Sequence, residues 1–462
     1  MARLITLLAA TLLACEVTAG EPNDIGSRRE LFVDDYLVES LTGDAAIVLN
    51  RPAPREAVLV TDKPWEGNIS AYYTVFRDGE LFRMYYRGAH YDEAAKASAH
   101  REVTCYAESR DGVHWTRPDL GLFEFNGSKQ NNIVLDGLGT HCFTPFKDAN
   151  PKCPAAARYK AISAGYSPAA PGLYIFQSPD GIHWSQACDK PVITKGAFDS
   201  QNLAFWDESR GCYLDFHRTF HEGVRDIMTC RSDDFVNWTE PALLEYTGSP
   251  REHLYTNAIM PYQRAPHLLI GFPTRYLPNE GERVEPTFMS SRDGRTFHRW
   301  QEAVIPPDAP QDRRGNRSNY MAWGLVQLPG DDRELSVYGT EAYYTGASSR
   351  LRRFTYRVDG FTAVRSGGKG QLTSKPLLFA GRTLTVNFRT SGKGSIRAEL
   401  QSEDGKSLRG LALADCRPLQ GDEIEAAVKW ESDADLGALA GKPVRLCFEL
   451  DGAELFSFRF AP

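Results

Sequence analysis

One short pattern recurs along the first two thirds of the chain: Ser109-Arg-Asp-Gly-Val-His-Trp115, Ser178-Pro-Asp-Gly-Ile-His-Trp184, Ser232-Asp-Asp-Phe-Val-Asn-Trp238 and, keeping Ser, Asp, Gly and an aromatic, Ser291-Arg-Asp-Gly-Arg-Thr-Phe297. The copies stand roughly 55–70 residues apart, the period of a four-stranded propeller blade with its loops. Asp and Gly suit a sharp chain reversal, and the closing aromatic ring packs between neighbouring sheets as the next strand begins. The motif is therefore structural, and Asp111, Asp180, Asp234 and Asp293 are not catalytic candidates.

Strand-like runs bounded by turn signals precede each copy. The first blade reads as 69–76, a turn at Arg77-Asp78-Gly79, 81–86 and 103–108; the second as 142–146, 159–164 and 173–177. The third reads as 202–206, 212–216 and 226–230, and the fourth as 254–262, 267–272 and 287–290. A fifth unit, 320–328, 334–338 and 352–356, ends in a degenerate turn, Val358-Asp359-Gly360-Phe361. The segment 29–59, with its run Leu31-Phe-Val-Asp-Asp-Tyr-Leu37, is expected to supply strands that close the ring, since a propeller must join its first and last blades. Beyond residue 365, Ser366-Gly-Gly-Lys-Gly370 reads as a linker, and 384–388, 395–400 and 444–450 as short alternating strands. The expected class is all-β, a five-bladed β-propeller over 25–365 followed by a C-terminal β-sandwich over 366–462 that braces it. An aromatic share of 11%, with 39 Gly and 27 Pro in 462 residues, suits such a turn-rich chain.

Met1-Ala-Arg3 and the apolar run 4–14 fall far short of the roughly 20 residues of a membrane span and read as a signal peptide over 1–19, with Val17-Thr-Ala19 before the cut. A lipoprotein site at Cys15 ranks second because Leu13 is unusual there. The expected location is secreted or periplasmic. Cys105, Cys142, Cys153, Cys188, Cys212, Cys230, Cys416 and Cys447 remain. Local pairing suggests Cys142 with Cys153 and Cys416 with Cys447, with buried free thiols as the equal alternative. No CxxC pair or His/Cys cluster suggests zinc. No cofactor is expected, although a central structural ion stays open. With 53 basic and 60 acidic residues, a net charge of -7 and no Lys/Arg tract, the chain lacks the basic footprint that nucleic acid or an anionic membrane requires.

The Ser-x-Asp-x-x-x-Trp turn, repeated along an exported β protein, resembles the five-bladed propellers of glycoside hydrolase families 43 and 32. Sialidases carry one more residue between Asp and Trp, which ranks their six-bladed form second. The resemblance spans residues 30–365 and implies a carbohydrate substrate, cleaved by paired carboxylates in a central funnel. The chain departs from those families where they carry Asp-Pro on the first blade: Trp65-Glu-Gly-Asn68 stands there. Lys147-Asp-Ala-Asn-Pro151 matches the Arg-Asp-Pro of family 32 only in part. This implies a distant branch.

In a propeller the first strand of each blade begins at the funnel mouth and the second returns to it, so polar residues at those ends converge. This rule selects Glu66, Asn68, His141, Asp199, Gln201, Glu252, His253, Arg317 and Asn319 before first strands, and Arg87, His90, Arg218, His221, Arg275 and Glu341 after second strands. Glycoside hydrolysis needs one carboxylic acid and one carboxylate. Glu66, Asp199, Glu252 and Glu341 are the catalytic candidates, with Asp199 as base or nucleophile, Glu252 as acid and the other two tuning them; Asp148 is an outside candidate. Asn68, Arg87, His141, Gln201, Arg218, Tyr255, Arg275 and Asn319 are the expected substrate-binding residues, and Trp65, Tyr255, Trp323 and Tyr343 could stack on sugar. His141, His217, His221 and His253 are too scattered to name a metal site. Two further readings stand beside the hydrolase: a propeller that only binds glycan or protein, and a phosphorylase whose arginines hold phosphate.

Overall fold

The computed structural model describes residues 21–165, 171–306, 308, 319–432 and 435–462. The expected signal peptide, Cys15 and Arg317 lie outside the described residues. Among the described residues no helix is long and apolar enough to cross a membrane.

Five small antiparallel sheets form the propeller. From the axis outward, the first holds Ala71–Asp78, Leu81–Gly88, Val103–Ser109 and Ile133–Asp136, and the second Thr144–Lys147, Tyr159–Gly165, Gly172–Ser178 and Ser185–Gln186. The third holds Leu203–Asp207, Cys212–His221, Val224–Ser232 and Ala242–Leu243. The fourth holds Met260–Tyr262, Ala265–Gly271, Met289–Ser291 and Thr296–Arg299, with Glu245–Thr247 added parallel at its rim. In the fifth, the inner run survives only as two bridges, Met321 to Gly339 and Val326 to Ser336, beside Glu334–Glu341 and Arg350–Arg357. Here the inner runs of blades five and one touch directly through backbone bonds between Val75 N and Trp323 O and between Trp323 N and Tyr73 O. Gly324 is required at that contact, because a Cβ on it would stand 1.9 Å from Val75 O.

The recurring turn explains the blade spacing. Asp111 Oδ1 accepts from the backbone N–H of Val113 at 2.9 Å and of His114 at 2.8 Å, while Ser109 Oγ accepts from Gly112 N at 2.9 Å. Asp180, Asp234 and Asp293 repeat the same pair of backbone bonds. Against burial, the His114 side chain and these backbone bonds hold the Asp111 carboxyl well below the usual range, and the backbone bonds with the His183 side chain do the same for Asp180. The freed glycine carbonyl then faces the preceding blade: Tyr338 Oη donates to Gly112 O and Tyr85 Oη to Gly181 O, each at 2.8 Å. Trp184 packs edge-on against Phe143 and Tyr85. In the third copy Phe235 takes the glycine position at φ 69°, and its ring fills the space against Phe146 and Tyr213.

Part of the segment expected to close the ring does so: Ala53–Val60 pairs with Arg350–Arg357. The earlier part does not. Asn23–Gly26, Glu30–Leu31, Val38–Gly43 and Ala46–Leu49 join the C-terminal sheet with Thr362–Ser374, Leu377–Phe379, Thr383–Ser402, Asp422–Ala427 and Val444–Ala461. The run 31–37 instead clamps this sheet to blade four, since Val33 O accepts from Ser290 Oγ and Trp300 Nε1, and Asp34 pairs with Arg292. The expected linker at 366–370 lies within the strand Thr362–Ser374, where Ser366 and Lys369 stand opposite Ala453 and Asp451 across a bulge. Glycines there serve close approach: Gly370 abuts Ala45.

Asp359, in the degenerate fifth turn, is the buried junction of all three parts. It accepts from Tyr262 Oη of blade four at 2.5 Å and Ser457 Oγ of the terminal sheet at 2.7 Å, and pairs with Arg264 at 3.0 Å and Arg29 at 3.5 Å. Burial opposes its ionisation, but the two guanidinium charges and these hydrogen bonds hold its carboxyl below the ordinary value.

The expected disulfides are absent: all eight described cysteines are free thiols. Cys142 lies buried beside Ser163 and Asn202, whereas Cys153 lies against Lys160 Nζ, so the two face different neighbours. Cys416 accepts from Ala398 N, and Cys447 sits opposite Thr373 and Glu399.

These contacts rank two substitutions. Asp180→Ala removes turn bonds at a half-exposed site and should cost about 1–2 kcal/mol, whereas Asp359→Ala takes a buried anion from the buried Arg29 and the half-buried Arg264 and should cost about 3–5 kcal/mol. Urea unfolding at neutral pH should show this order, and an equal or reversed order would contradict the junction role of Asp359.

Candidate active site

The starts of the five inner runs bring one chain of side chains around the mouth of the central channel. Tyr72 of blade one packs on the His141 ring of blade two at 5.7 Å between centroids, and His141 Nε2 lies 3.0 Å from Asp199 Oδ1 of blade three. Tyr255 of blade four donates to Asp199 Oδ2 at 3.4 Å and meets Tyr320 of blade five at 5.7 Å. Tyr320 meets Tyr343, whose hydroxyl accepts from Arg87 Nη2 at 2.9 Å, and the Arg87 guanidinium returns to Tyr72 at 4.8 Å from its ring centre. All five blades contribute, and the circuit closes.

Local backbone geometry aims these groups. A bulge between Ala71 and Thr74 breaks the register with Leu81–Gly88 and puts Tyr72 at φ 56°, a conformation that bulky residues adopt only at a cost of order 1–3 kcal/mol. Ala342 and Tyr344, beside Tyr343, also have positive φ. Asn68 anchors this rim: its side chain accepts from Tyr91 N at 2.9 Å and donates to Gly346 O at 2.8 Å.

Electrostatically the centre is His141. Its Nδ1 lies 2.9 Å from Glu102 Oε2, and Arg87 Nη1 stands 3.3 and 3.4 Å from the two ring nitrogens. Burial and Arg87 disfavour the imidazolium, but the bonds to Asp199 and Glu102 outweigh them, so His141 titrates above its ordinary 6.5. Asp199 is pulled to about 2, first by the His141 hydrogen bond and, against burial, by the charge of Arg218; its side chain remains 53% exposed to the mouth. Glu102 is likewise lowered, the His141 bond and Arg87 overcoming burial. Arg218 stands 3.7 Å from Asp199 and donates Nε to Ala197 O, while its Nη1 is buried with no hydrogen-bond partner.

The other sequence candidates have different surroundings. Glu66 is buried against Tyr86 Oη and Arg117, and burial raises its carboxyl. Glu341 is gripped by Arg350 and Arg352, and Glu252 by Arg299 at 2.8 Å and Arg275 at 3.4 Å; Arg275 also binds Glu285. None of these contacts reaches Asp199 or His141. Gln201 crosses the channel to Tyr73 O and Thr74, and Asn319 donates to Thr340 O at the start of blade five. Asp148 is neutralised by Lys160 and accepts from Tyr213. It borders a cavity of about 740 Å³ at the opposite end of the channel, between Trp206, Trp323, Lys147 and Arg264.

Three groups at the mouth, Glu102, Tyr72 and Tyr320, escaped the sequence rule. Third strands also begin there, so Glu102, just before Val103–Ser109, was findable by extending the rule to them. Tyr72 depends on the bulge, and no sequence signal marks its direction.

No protein-family model and no curated protein matches the sequence. Solved structures do. The chain is similar to a β-1,2-mannobiose phosphorylase from Listeria innocua, with 14% identity over 68% of this chain and 98% of that one, at a TM-score of 0.50. It is also similar to an N-acetylgalactosamine deacetylase from F. plautii (11% identity, 69% and 97% covered, TM-score 0.47). A third is a glycoside hydrolase family 43 arabinoxylan arabinofuranohydrolase from Bacillus subtilis (12%, 85% and 96%, TM-score 0.41). At 14% identity the likeness to the phosphorylase speaks for the fold alone, and the sheets described above are the five-bladed propeller that the repeated turn implied.

The charge pattern at the mouth sets a titration. An NMR titration of His141 should show the imidazolium persisting above pH 6.5 in the wild type and its midpoint falling in both Asp199→Asn and Glu102→Gln, since each removes an anion that favours the charged ring. A midpoint unchanged by either substitution would contradict the described contacts.

Proposed function

We propose that the chain is an exported enzyme that cleaves glycosidic bonds at the funnel mouth, with the His141 imidazolium as the proton donor. The supporting observation is the closed circuit of side chains from all five blades, with His141 bonded between Asp199 and Glu102. Tyrosine faces at 72, 255, 320 and 343 suit stacking on a sugar ring. Asp199 and Glu102 keep His141 charged and oriented, so that it can protonate the departing glycosidic oxygen.

Asp199 then acts through His141 and not as a second catalytic carboxylate. Carboxyl groups that flank a scissile bond stand about 5–9.5 Å apart to admit the sugar between them, whereas Asp199 and His141 are in direct contact at 3.0 Å. They work from one side of the substrate, and the attacking group arrives from the other. Water is the first assignment for it. The unpartnered Nη1 of Arg218 beside Asp199 favours a second, inorganic phosphate, which a guanidinium fork recognises.

The test is product release from a panel of plant, algal and microbial glycans, with and without phosphate. Wild-type protein should release sugar; His141→Gln should lower kcat by about 10²–10⁴, and Glu252→Gln should stay near wild type. Activity should fall as pH rises through the raised His141 midpoint, because the donor is lost, and in Asp199→Asn this fall should begin at lower pH. Free sugar without phosphate supports hydrolysis; sugar phosphate formed only with phosphate supports phosphorolysis. Full activity in His141→Gln, or loss in Glu252→Gln alone, would move the site, and no release across the panel would contradict the enzyme reading in favour of a binding propeller.

A further inference from the structure

Beneath the loop that carries Asp199, the second hairpin of blade three places three metal-ligating side chains together. Asp215 and His217 are two residues apart on Cys212–His221 and so share one face of the strand, and Cys230 is the direct cross-strand partner of Asp215 on Val224–Ser232. Their ligand atoms all lie within 4.8 Å of one another, and the side chains of Asp215 and His217 are 0% exposed. His217 Nδ1 contacts Asp215 Oδ1, and Cys230 Sγ lies 3.6 Å from the same oxygen.

Two further observations point to a ligand. Asp215 Oδ2 is buried without a hydrogen-bond partner, and among the described residues Asp215 has no Arg or Lys partner. A fully buried carboxyl so placed is costly unless something neutralises it. In addition, His217 Nε2 lies 2.9 Å from Lys195 O; a carbonyl only accepts, so this nitrogen carries hydrogen and Nδ1 is the one turned to the cluster. A backbone carbonyl fixing the far nitrogen is the usual outer support of a metal-bound histidine.

We propose that Asp215, His217 and Cys230 bind one zinc-class divalent cation as a structural ion of blade three. Thiolate, imidazole and carboxylate together select zinc over calcium or magnesium, which prefer oxygen donors alone. With bonds of about 2.0–2.3 Å, tetrahedral donors lie about 3.3–3.8 Å apart; the 3.6 Å between Cys230 Sγ and Asp215 Oδ1 meets this, and the direct contact of His217 Nδ1 with Asp215 Oδ1 has to open as the ion replaces the proton between them. The unpartnered Asp215 Oδ2 is the carboxylate oxygen that can turn to the ion without giving up a hydrogen bond. Charge also balances: the ion's two positive charges meet one thiolate and one carboxylate, and two protons leave, one from the Cys230 thiol and one from the Asp215–His217 contact.

The ion would lie under the catalytic loop. Phe198 packs on the His217 ring at 5.6 Å, and a Cβ on Gly196 would stand 2.8 Å from His217 Cδ2. Fixing His217 therefore fixes 195–199 and with it Asp199. The proposal does not depend on what the funnel mouth cleaves.

The experiment is to produce the full chain in cobalt-supplemented minimal medium, measure bound metal and record the optical spectrum. About one equivalent of cobalt should be retained, with strong tetrahedral d–d bands and a near-ultraviolet thiolate charge-transfer band. That band should vanish in Cys230→Ser while oxygen and nitrogen ligation keeps weaker visible bands. Folded wild-type protein that retains under a tenth of an equivalent, or cobalt whose spectrum Cys230→Ser leaves unchanged, would overturn the site. The wild-type measurement decides even where a variant fails to fold.

Discussion

The reversal that closes each blade governs the molecule. A carboxylate accepting two consecutive backbone N–H groups, with a serine hydroxyl accepting a third, fixes the chain at four equivalent places. Each such turn presents a carbonyl outward and drops an aromatic ring inward. In blades one and two the carbonyl takes a tyrosine hydroxyl from the preceding blade, so a local turn sets a distance between sheets. At these two junctions that distance sets how far apart neighbouring inner runs begin, and so whether Tyr72 of blade one can touch His141 of blade two.

A ring also has to be held shut. The fifth blade has a weak inner run, and Ala53–Val60 supplies its third paired strand from the other end of the sequence. The chain on either side of this closure is then absorbed into one terminal sheet. Its clamp onto blade four through Val33 and Asp34, and the buried meeting of Arg29, Arg264, Tyr262 and Ser457 at Asp359, join propeller and sheet by polar contacts that tolerate little displacement. Asp359 stands in the one turn of the series that lost its serine, so a position released from the blade repeat took up the junction.

What the sequence showed and hid follows from the range of the interactions. The turns rest on contacts within three residues, which is why blade number and all-β class were legible. The strand partners of 23–49 lie more than 300 residues away, and alternating strands look the same whichever sheet they join. Glu66, Glu252 and Glu341 were plausible as lone acids, but each meets arginines whose positions depend on neighbouring strands. Asp199, His141, Arg87, Arg218 and Tyr255 come together because the rule selected strand ends that face the mouth. Cys230 and His217 are invisible as a pair until the hairpin register sets them on one face.

At the mouth the decisive feature is an imidazole held between two carboxylates, bordered by two arginines and a wall of tyrosines. We propose that this combination takes a neutral or anionic sugar; it lies at the opposite end of the channel from the cavity of about 740 Å³ beside Trp206 and Trp323. A crystal structure of His141→Gln soaked with a glycan that the wild type cleaves tests this most directly. The sugar should lie against Tyr72, Tyr255, Tyr320 and Tyr343, with its scissile oxygen within hydrogen-bond reach of residue 141; a sugar bound instead in the cavity beside Trp206 and Trp323, or on the terminal sheet, would contradict it.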